Sequence, residues 1–449
     1  MIDKNIFRAY DIRGISNKNL TPKIMKSIGI ELRKMYPKDE FLVGNDIRSS
    51  SKKLAGALIS GLKKANYSGT TSFGETLFTG LKLKKDKTLF ITASHDPPNW
   101  NGLKLFNGDG DPLSSKIIYQ LRDNVGKNFD KVTNDKNYLE LLNNSKKVNL
   151  HKKYIEFMKN KFKLNTFKII LDCGNGATCL TGPEIFKKLE LTTTIINGKV
   201  DPKFPGRSAD IKNKDLKELR SKVLSKKADV GVAFDGDGDR FILVDEKGEF
   251  HRSDRIGLVL AKNMILNSNK KTVVITTSVS MAAEKELDNL NAKVIRVPVG
   301  HTYVIDTCKK KNALIGMEES GHVVLTDYFY FDDAIIPVLK ILELMSKKSK
   351  KLSELMNEIT EYPFEETELK CTEKSKVKFV EKMKNKFSEK YDISTVDGLK
   401  IYFKDSWVLL RASNTSPNLR LYFEANSKKR LKEIKKKFTK IFSEELKKV

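Results

Sequence analysis

Four short loops hold the residues of this chain that could do chemistry. The first, Thr92-Ala93-Ser94-His95-Asp96-Pro97-Pro98-Asn99, leaves an apolar run and leads on to Lys104. Two consecutive prolines stiffen such a turn and remove two backbone donors, which suits a loop that presents one hydroxyl. A serine is a weak nucleophile until a base or a metal activates it. No G-x-S-x-G elbow surrounds Ser94, so a hydrolase triad is not indicated. Alone, Ser94 reads as readily as a turn residue.

The second loop, Asp235-Gly236-Asp237-Gly238-Asp239-Arg240, alternates carboxylates with glycines. Three acids this close repel one another unless a cation neutralises them, and their oxygens suit a hard one such as Mg2+. An EF-hand also places acids at its first, third and fifth positions, and Glu246 falls at the twelfth. The sixth position, which needs glycine there, is Arg240, and the flanks read as strands. The third loop is Glu318-Glu319-Ser320-Gly321-His322, with Val299-Gly300-His301 upstream. Its carboxylate, hydroxyl and imidazoles can hydrogen-bond adjacent sugar hydroxyls. In the fourth, Arg411 and Arg420 bracket Ser413, Asn414 and Thr415, forked and short donors that can hold phosphate oxygens.

The elements that must position these loops follow one pattern: an apolar strand, a polar turn, then a helical stripe. Thr21 reads as an N-cap and Pro22 as a first helical position, with Ile24, Ile28, Leu32 and Met35 on one face. A strand is expected at 41–43, a helix through Leu54, Leu58 and Leu62, and a strand at 88–91 running into the Ser94 loop. The pattern restarts at 168–171 and at 272–276. Past about residue 368 it gives way to strands at 399–403, 407–411 and 419–424 and a closing basic helix. The expected fold class is α/β with mixed sheets in three domains and a smaller α+β C-terminal domain. Charge-rich breaks put the domains at 1–148, 149–248, 249–365 and 366–449, each supplying one of the four loops.

Composition narrows the class. With 39% hydrophobic residues in 449, the chain can build proper cores. No apolar run reaches the ~18 residues of a membrane span, and the first residues lack an apolar leader, so a soluble cytoplasmic protein is expected. The four cysteines include no C-x-x-C pair, and reduced buried thiols are expected. A net charge of +27 raises nucleic acid as a partner. The lysines are spread along the chain without interleaved aromatics, so solvated helix faces explain them, and no nucleic-acid or membrane partner is expected. An anionic substrate also gains from such a field.

Taken in order, the four loops resemble those of the α-D-phosphohexomutase superfamily over nearly the whole chain. The opening Phe7-Arg8-Ala9-Tyr10-Asp11-Ile12-Arg13-Gly14 is similar to the phosphomannomutase/phosphoglucomutase branch, whereas the phosphoglucosamine branch tends to begin with Gly-Thr-Ser-Gly. The resemblance implies a heart-shaped four-domain isomerase that interconverts hexose 1-phosphate and hexose 6-phosphate, of mannose or glucose. A phosphoserine at Ser94 and a hexose 1,6-bisphosphate intermediate would carry the phosphoryl group, and phosphoglucosamine is the alternative substrate. It also implies Mg2+ on Ser94, Asp235, Asp237 and Asp239. Catalytic roles fall to Ser94, Lys104, Arg13 and Arg240. Substrate contacts fall to Tyr10, His301, Glu318, Ser320, His322, Arg411, Ser413, Asn414, Thr415 and Arg420. The chain departs from the family pattern at Asp96, where Asn is usual, at Met317, where Gly is usual, and at 204–210, which keeps Phe-Pro but lacks the usual histidines.

Overall fold

In the computed structural model, residues 2–135, 137–211, 216–413 and 418–448 are described. They form two compact units, one of residues 1–260 with 320–356 and the other of residues 261–319 with 357–449.

The first unit holds two sheets. One runs, in spatial order, Asp11–Ile15, Trp100–Asn107, Lys87–Ile91, Phe41–Asn45, Asn66–Thr70, Lys146–Lys147. Its first two pairings are antiparallel and the remainder parallel. Phe41–Asn45 is buried along its whole length, as a central parallel strand covered on both faces must be. The helix Pro22–Met35 begins as its sequence signals: Thr21 caps it by accepting from the Ile24 amide, and Pro22 follows. Its buried stripe of Ile24, Ile28 and Leu32 joins Leu54, Leu58 and Leu62 of the helix Ser51–Leu62 in one core.

The second sheet of this unit runs Phe250–His251, Phe241–Asp245, Val230–Phe234, Lys168–Asp172, Thr192–Ile196. Val230–Phe234 and Phe241–Asp245 pair antiparallel, so the aspartate loop between them is the turn of a β-hairpin, and the strands expected on its flanks are present. Lys168–Asp172 pairs in parallel with both Thr192–Ile196 and Val230–Phe234.

In the second unit Thr272–Thr276 pairs in parallel with Lys293–Val297 on one side and Ile315–Met317 on the other. Ala313 and Leu314 lead into the ladder, and Ile315 to Met317 pair with Val273 to Ile275. The C-terminal sheet is antiparallel throughout: Phe364–Lys370, Asn418–Ala425, Ser406–Ala412, Leu399–Phe403, Asp392–Ser394. Helices Glu373–Ser388 and Lys428–Leu446 cover one of its faces, where Phe379, Met383, Phe438 and Phe442 meet Val408, Leu410, Leu419 and Leu421. Mixed α/β sheets followed by a smaller α+β C-terminal domain are the architecture expected. Cys173 and Cys308 are buried free thiols as expected, whereas Cys179 and Cys371 are half-buried. Among the described residues no helix is long and apolar enough to cross a membrane.

Candidate active site

The Ser94 loop leaves the carboxyl end of Lys87–Ile91, where α/β sheets place their ligands. Ser94 is wholly buried and has φ of 49°, a left-handed conformation unusual for a residue with a side chain. Its amide donates to Thr92 Oγ1 at 2.8 Å, and its Oγ donates to Asp235 Oδ2 at 3.0 Å. His95 Nδ1 lies 3.3 Å from the same Oγ. Burial, with Arg240 and Arg13 nearby, holds the His95 imidazole well below its ordinary value, so the ring is neutral.

The hairpin turn brings Asp235, Asp237 and Asp239 together with ligand oxygens within 4.8 Å of one another, all three residues buried. Asp235 Oδ1 accepts from the amides of Gly238, Asp239 and Arg240, which curls the turn around it. Burial, then Asp239 and Asp237, push Asp235 well above the usual carboxylate range. The turn also touches the serine loop through backbone alone: a Cβ on Gly236 would stand 2.5 Å from the Ser94 carbonyl oxygen. Asp237 Oδ1 and Asp239 Oδ1 are buried and accept no hydrogen bond. Unsatisfied buried carboxylate oxygens beside a serine hydroxyl form an all-oxygen donor set that fits a hard divalent cation such as Mg2+.

Lys104 reaches this group from the strand Trp100–Asn107. Its Nζ donates to Asp237 Oδ2 at 3.0 Å and to Asp239 Oδ2, and it lies 4.5 Å from the Phe73 ring centroid. Burial works to lower the ammonium, but Asp237 and Asp239 outweigh it and hold Lys104 above its ordinary value. A lysine so paired is a charged donor and not a base.

Arg13, on Asp11–Ile15, is buried between two acids: Nε donates to Asp11 Oδ2 at 2.6 Å and Nη1 to Asp96 Oδ2 at 3.0 Å. Asp96 therefore has a cation beside it, and the extra charge at the departing position is paired. His322 stands with its Nε2 3.4 Å from Asp239 Oδ2 and its Nδ1 3.2 Å from Ser320 Oγ. Burial opposes its charge, but Asp332 and Asp239 prevail and push it up to about 10. With that ring protonated, the approach of Arg240 Nε to His322 Nε2 at 3.3 Å is a contact between two cations that share Asp239. Tyr10 lies half-buried in the bend before Asp11–Ile15.

Of the expected substrate residues, the second unit carries the remainder. Glu318 is buried and its Oε1 accepts from the Gly300 amide at 2.9 Å. His301 opens the helix His301–Lys310. Arg411 and Arg420 are register partners on adjacent strands. Arg411 is buried, with Nε donating to Asp397 Oδ2 at 2.8 Å, whereas Arg420 pairs with Glu366 and Glu368. The buried Ser413 accepts from Lys376 Nζ at its carbonyl. Asn414 and Thr415 lie outside the described residues.

Sequence reasoning missed the supports behind these groups. Asp46 and Arg48, in the turn after Phe41–Asn45, hold the serine loop from beneath, and Thr92 Oγ1 sits 2.8 Å from Asp46 Oδ2 and 3.0 Å from Asp237 Oδ2. Asp397 also accepts from the Val299 amide at 2.9 Å, tying Arg411 to the turn that precedes His301. One signal was visible: Asp46-Ile47-Arg48 repeats the residue types and spacing of Asp11-Ile12-Arg13.

The comparisons agree along the chain. Family models described as phosphoglucomutase/phosphomannomutase match at residues 4–131 (alpha/beta/alpha domain I), 152–248 (domain II), 252–362 (domain III) and 366–441 (C-terminal domain). A phosphomannomutase of Methanocaldococcus jannaschii is 32% identical over 442 residues, covering 96% of this chain and 96% of that protein. A phosphoglucosamine mutase of the same organism is 30% identical over 461 residues, covering 98% and 99%. The X-ray structure of a phosphoglucomutase/phosphomannomutase family protein from Burkholderia thailandensis matches with a TM-score of 0.86 at 26% identity, covering 98% of this chain and 97% of that one. The two archaeal relatives carry names from both sides of the branch point at which the opening motif favours one.

Proposed function

We propose, since this chain belongs to the phosphoglucomutase/phosphomannomutase family of α-D-phosphohexomutases, that it interconverts hexose 1-phosphate and hexose 6-phosphate through a phosphoserine at Ser94. As a member, the chain is an enzyme, an intramolecular phosphotransferase of carbohydrate metabolism. The observation that carries the finer reading is the Ser94 hydroxyl on Asp235, with Lys104 on the other two carboxylates of the same turn. Phosphoryl transfer needs alignment and charge neutralisation more than covalent help.

In the forward half, the bond between phosphorus and Ser94 Oγ breaks as a bond to the free sugar hydroxyl forms, giving the 1,6-bisphosphate. The proton lost by that hydroxyl balances the one Ser94 regains. The bisphosphate then presents its other phosphoryl group, which returns to Ser94. Bound by Asp235, Asp237, Asp239 and the Ser94 oxygen, Mg2+ would supply charge that neutralises the transferring oxygens. Arg240 and the Lys104 ammonium add fixed positive charge that needs no reorganisation during transfer. The neutral His95 beside Oγ can donate one hydrogen bond to it. Glu318 and His322 are suited to reading sugar hydroxyls, and Arg411 to holding the phosphate that stays in place.

Mannose and glucose phosphates are the expected substrates, from the opening motif. Glucosamine phosphate is the second reading, favoured by the relative that is 30% identical over 98% of this chain. Intact-mass measurement with a coupled assay tests the mechanism: Ser94→Ala loses both the phosphate and turnover, and normal turnover by that variant would sink it. Rates on the three 1-phosphates side by side decide the sugar.

A further inference from the structure

The Arg48 side chain makes five hydrogen bonds, all of them to its own loop and to the serine loop. Nη2 donates to the carbonyls of Ser94 at 2.8 Å and Asp96 at 2.6 Å, and Nη1 to those of Pro97 at 2.6 Å and Trp100 at 3.1 Å. Nε donates to Asp46 Oδ2 at 3.1 Å. A guanidinium has five N–H donors, so this one is saturated. Its side chain is 0% exposed, and that of Asp46 is 1% exposed. A buried cation facing four carbonyl oxygens of one loop, with every proton used, is built to hold backbone and has nothing left for phosphate.

The same pair reaches the reacting groups. Asp46 Oδ2 lies 2.8 Å from Thr92 Oγ1, the atom that accepts the Ser94 amide. Asp46 Oδ1 takes the Arg48 amide at 3.0 Å and the Ser51 hydroxyl, fixing the acid to the start of helix Ser51–Leu62. Phe204, from the Phe-Pro stretch at 204–210, stacks against the guanidinium at 5.3 Å from its ring centroid and packs with Ile47 and Ala209. Ser94 is thus gripped at its amide and at its carbonyl, in a left-handed conformation that a residue with a side chain rarely adopts without such support.

We infer that Arg48, oriented by Asp46, is the positioning residue that holds Ser94 at positive φ so that its Oγ meets the aspartate turn, and that it sets the rate of phosphoryl transfer without touching substrate. The inference rests on the proposed role of Ser94. Lysine keeps the charge of arginine but has three donors on one atom, which cannot serve four carbonyls spread along a loop.

The test is single-turnover phosphorylation of Ser94 by glucose 1,6-bisphosphate in wild type, Arg48→Lys, Arg48→Ala and Asp46→Asn. Mg2+ affinity by calorimetry and thermal melts are measured in parallel. In Arg48→Lys the transfer rate is expected to fall about a hundredfold, the loss that accompanies a misplacement of roughly 1 Å, while KM stays near wild type and Mg2+ affinity falls no further than loss of the Ser94 oxygen as one ligand allows. Millimolar guanidinium should restore part of the rate in Arg48→Ala, and ammonium should not. Equal losses in rate, KM and melting temperature, or rescue by both cations, would overturn the inference. If Arg48→Lys does not fold, Asp46→Asn and the rescue of Arg48→Ala decide it by the same criteria. A wild type that never phosphorylates Ser94 refutes the proposed function instead, so the two failures are distinct.

Discussion

Arg13 donates to Asp96 across 3.0 Å, so a cation expected to face the transferring phosphate is shared with a carboxylate two residues from the serine that would carry it. Asp11 takes the Nε of the same guanidinium. A phosphoserine dianion formed here competes with two carboxylates for one arginine. Asp96→Asn removes one competitor and its charge. Phosphorylation of Ser94 by hexose 1,6-bisphosphate is expected to quicken several-fold and to become less sensitive to salt, followed by quenched-flow mass spectrometry. A slower reaction would mean that the Asp96 charge orients Arg13 usefully.

Two oxygens of the aspartate turn hold Lys104, and Asp237 Oδ1 and Asp239 Oδ1 accept nothing. Mg2+ that binds the folded state should raise its melting temperature, by an amount equivalent to about 2.7 kcal/mol at a hundred times Kd. Asp239→Asn should lose the rise, and chelation should abolish turnover. A melting temperature indifferent to Mg2+ would argue against a cation at this turn.

His151 bridges Glu75 at 3.2 Å and Glu184 at 3.0 Å, and the hydrogen bonds to these acids, that to Glu75 foremost, push it up to about 9 against the opposing effect of burial. A histidine whose folded value is raised contributes stability that is complete below its unfolded value near 6.5 and disappears as pH rises through about 9. Urea denaturation between pH 6 and pH 9.5 should show that decline, and His151→Gln should flatten it.

Asp397 joins Arg411 to the Val299 amide and so links two loops of expected substrate residues. The Arg411 side chain is 5% exposed, so loss of this acid takes a charged partner from a buried cation. Asp397→Asn is expected to raise KM for the hexose phosphate by about tenfold while kcat changes little, the mark of lost uniform binding. Equal changes in both would place Asp397 in the transfer step.

The parts of this fold legible in the sequence are those with local causes. Thr21-Pro22 marked a helix start because a cap and a fixed φ act within one turn. The alternating acids marked a cation site between two strands because carboxylates this close in sequence repel unless neutralised, and the structure closes them in a hairpin turn. What stayed hidden depends on distant partners. The strand Trp100–Asn107 was not anticipated: one of its two partners, Asp11–Ile15, is far from it in sequence, and its buried Lys104 breaks the apolar pattern. Burial alone would lower the Lys104 ammonium, and its two acids reverse that. The sequence showed the lysine and the aspartates but not that they touch. Arg48 looked like one polar residue in a turn, since its acceptors are carbonyls, which any residue type can supply.

Ser94 has no exposed surface, and its own carbonyl and that of Asp96 are already engaged by Arg48. A protein kinase needs a stretch of chain it can lift out and lay along its own cleft, and this stretch has none to offer. With Ser94 as the phosphoryl carrier proposed above, the first phosphate would arrive on a small molecule, and newly made protein would depend on a supply of sugar bisphosphate before its first turnover. The activity of fresh protein should then show a lag whose length falls as that bisphosphate is added.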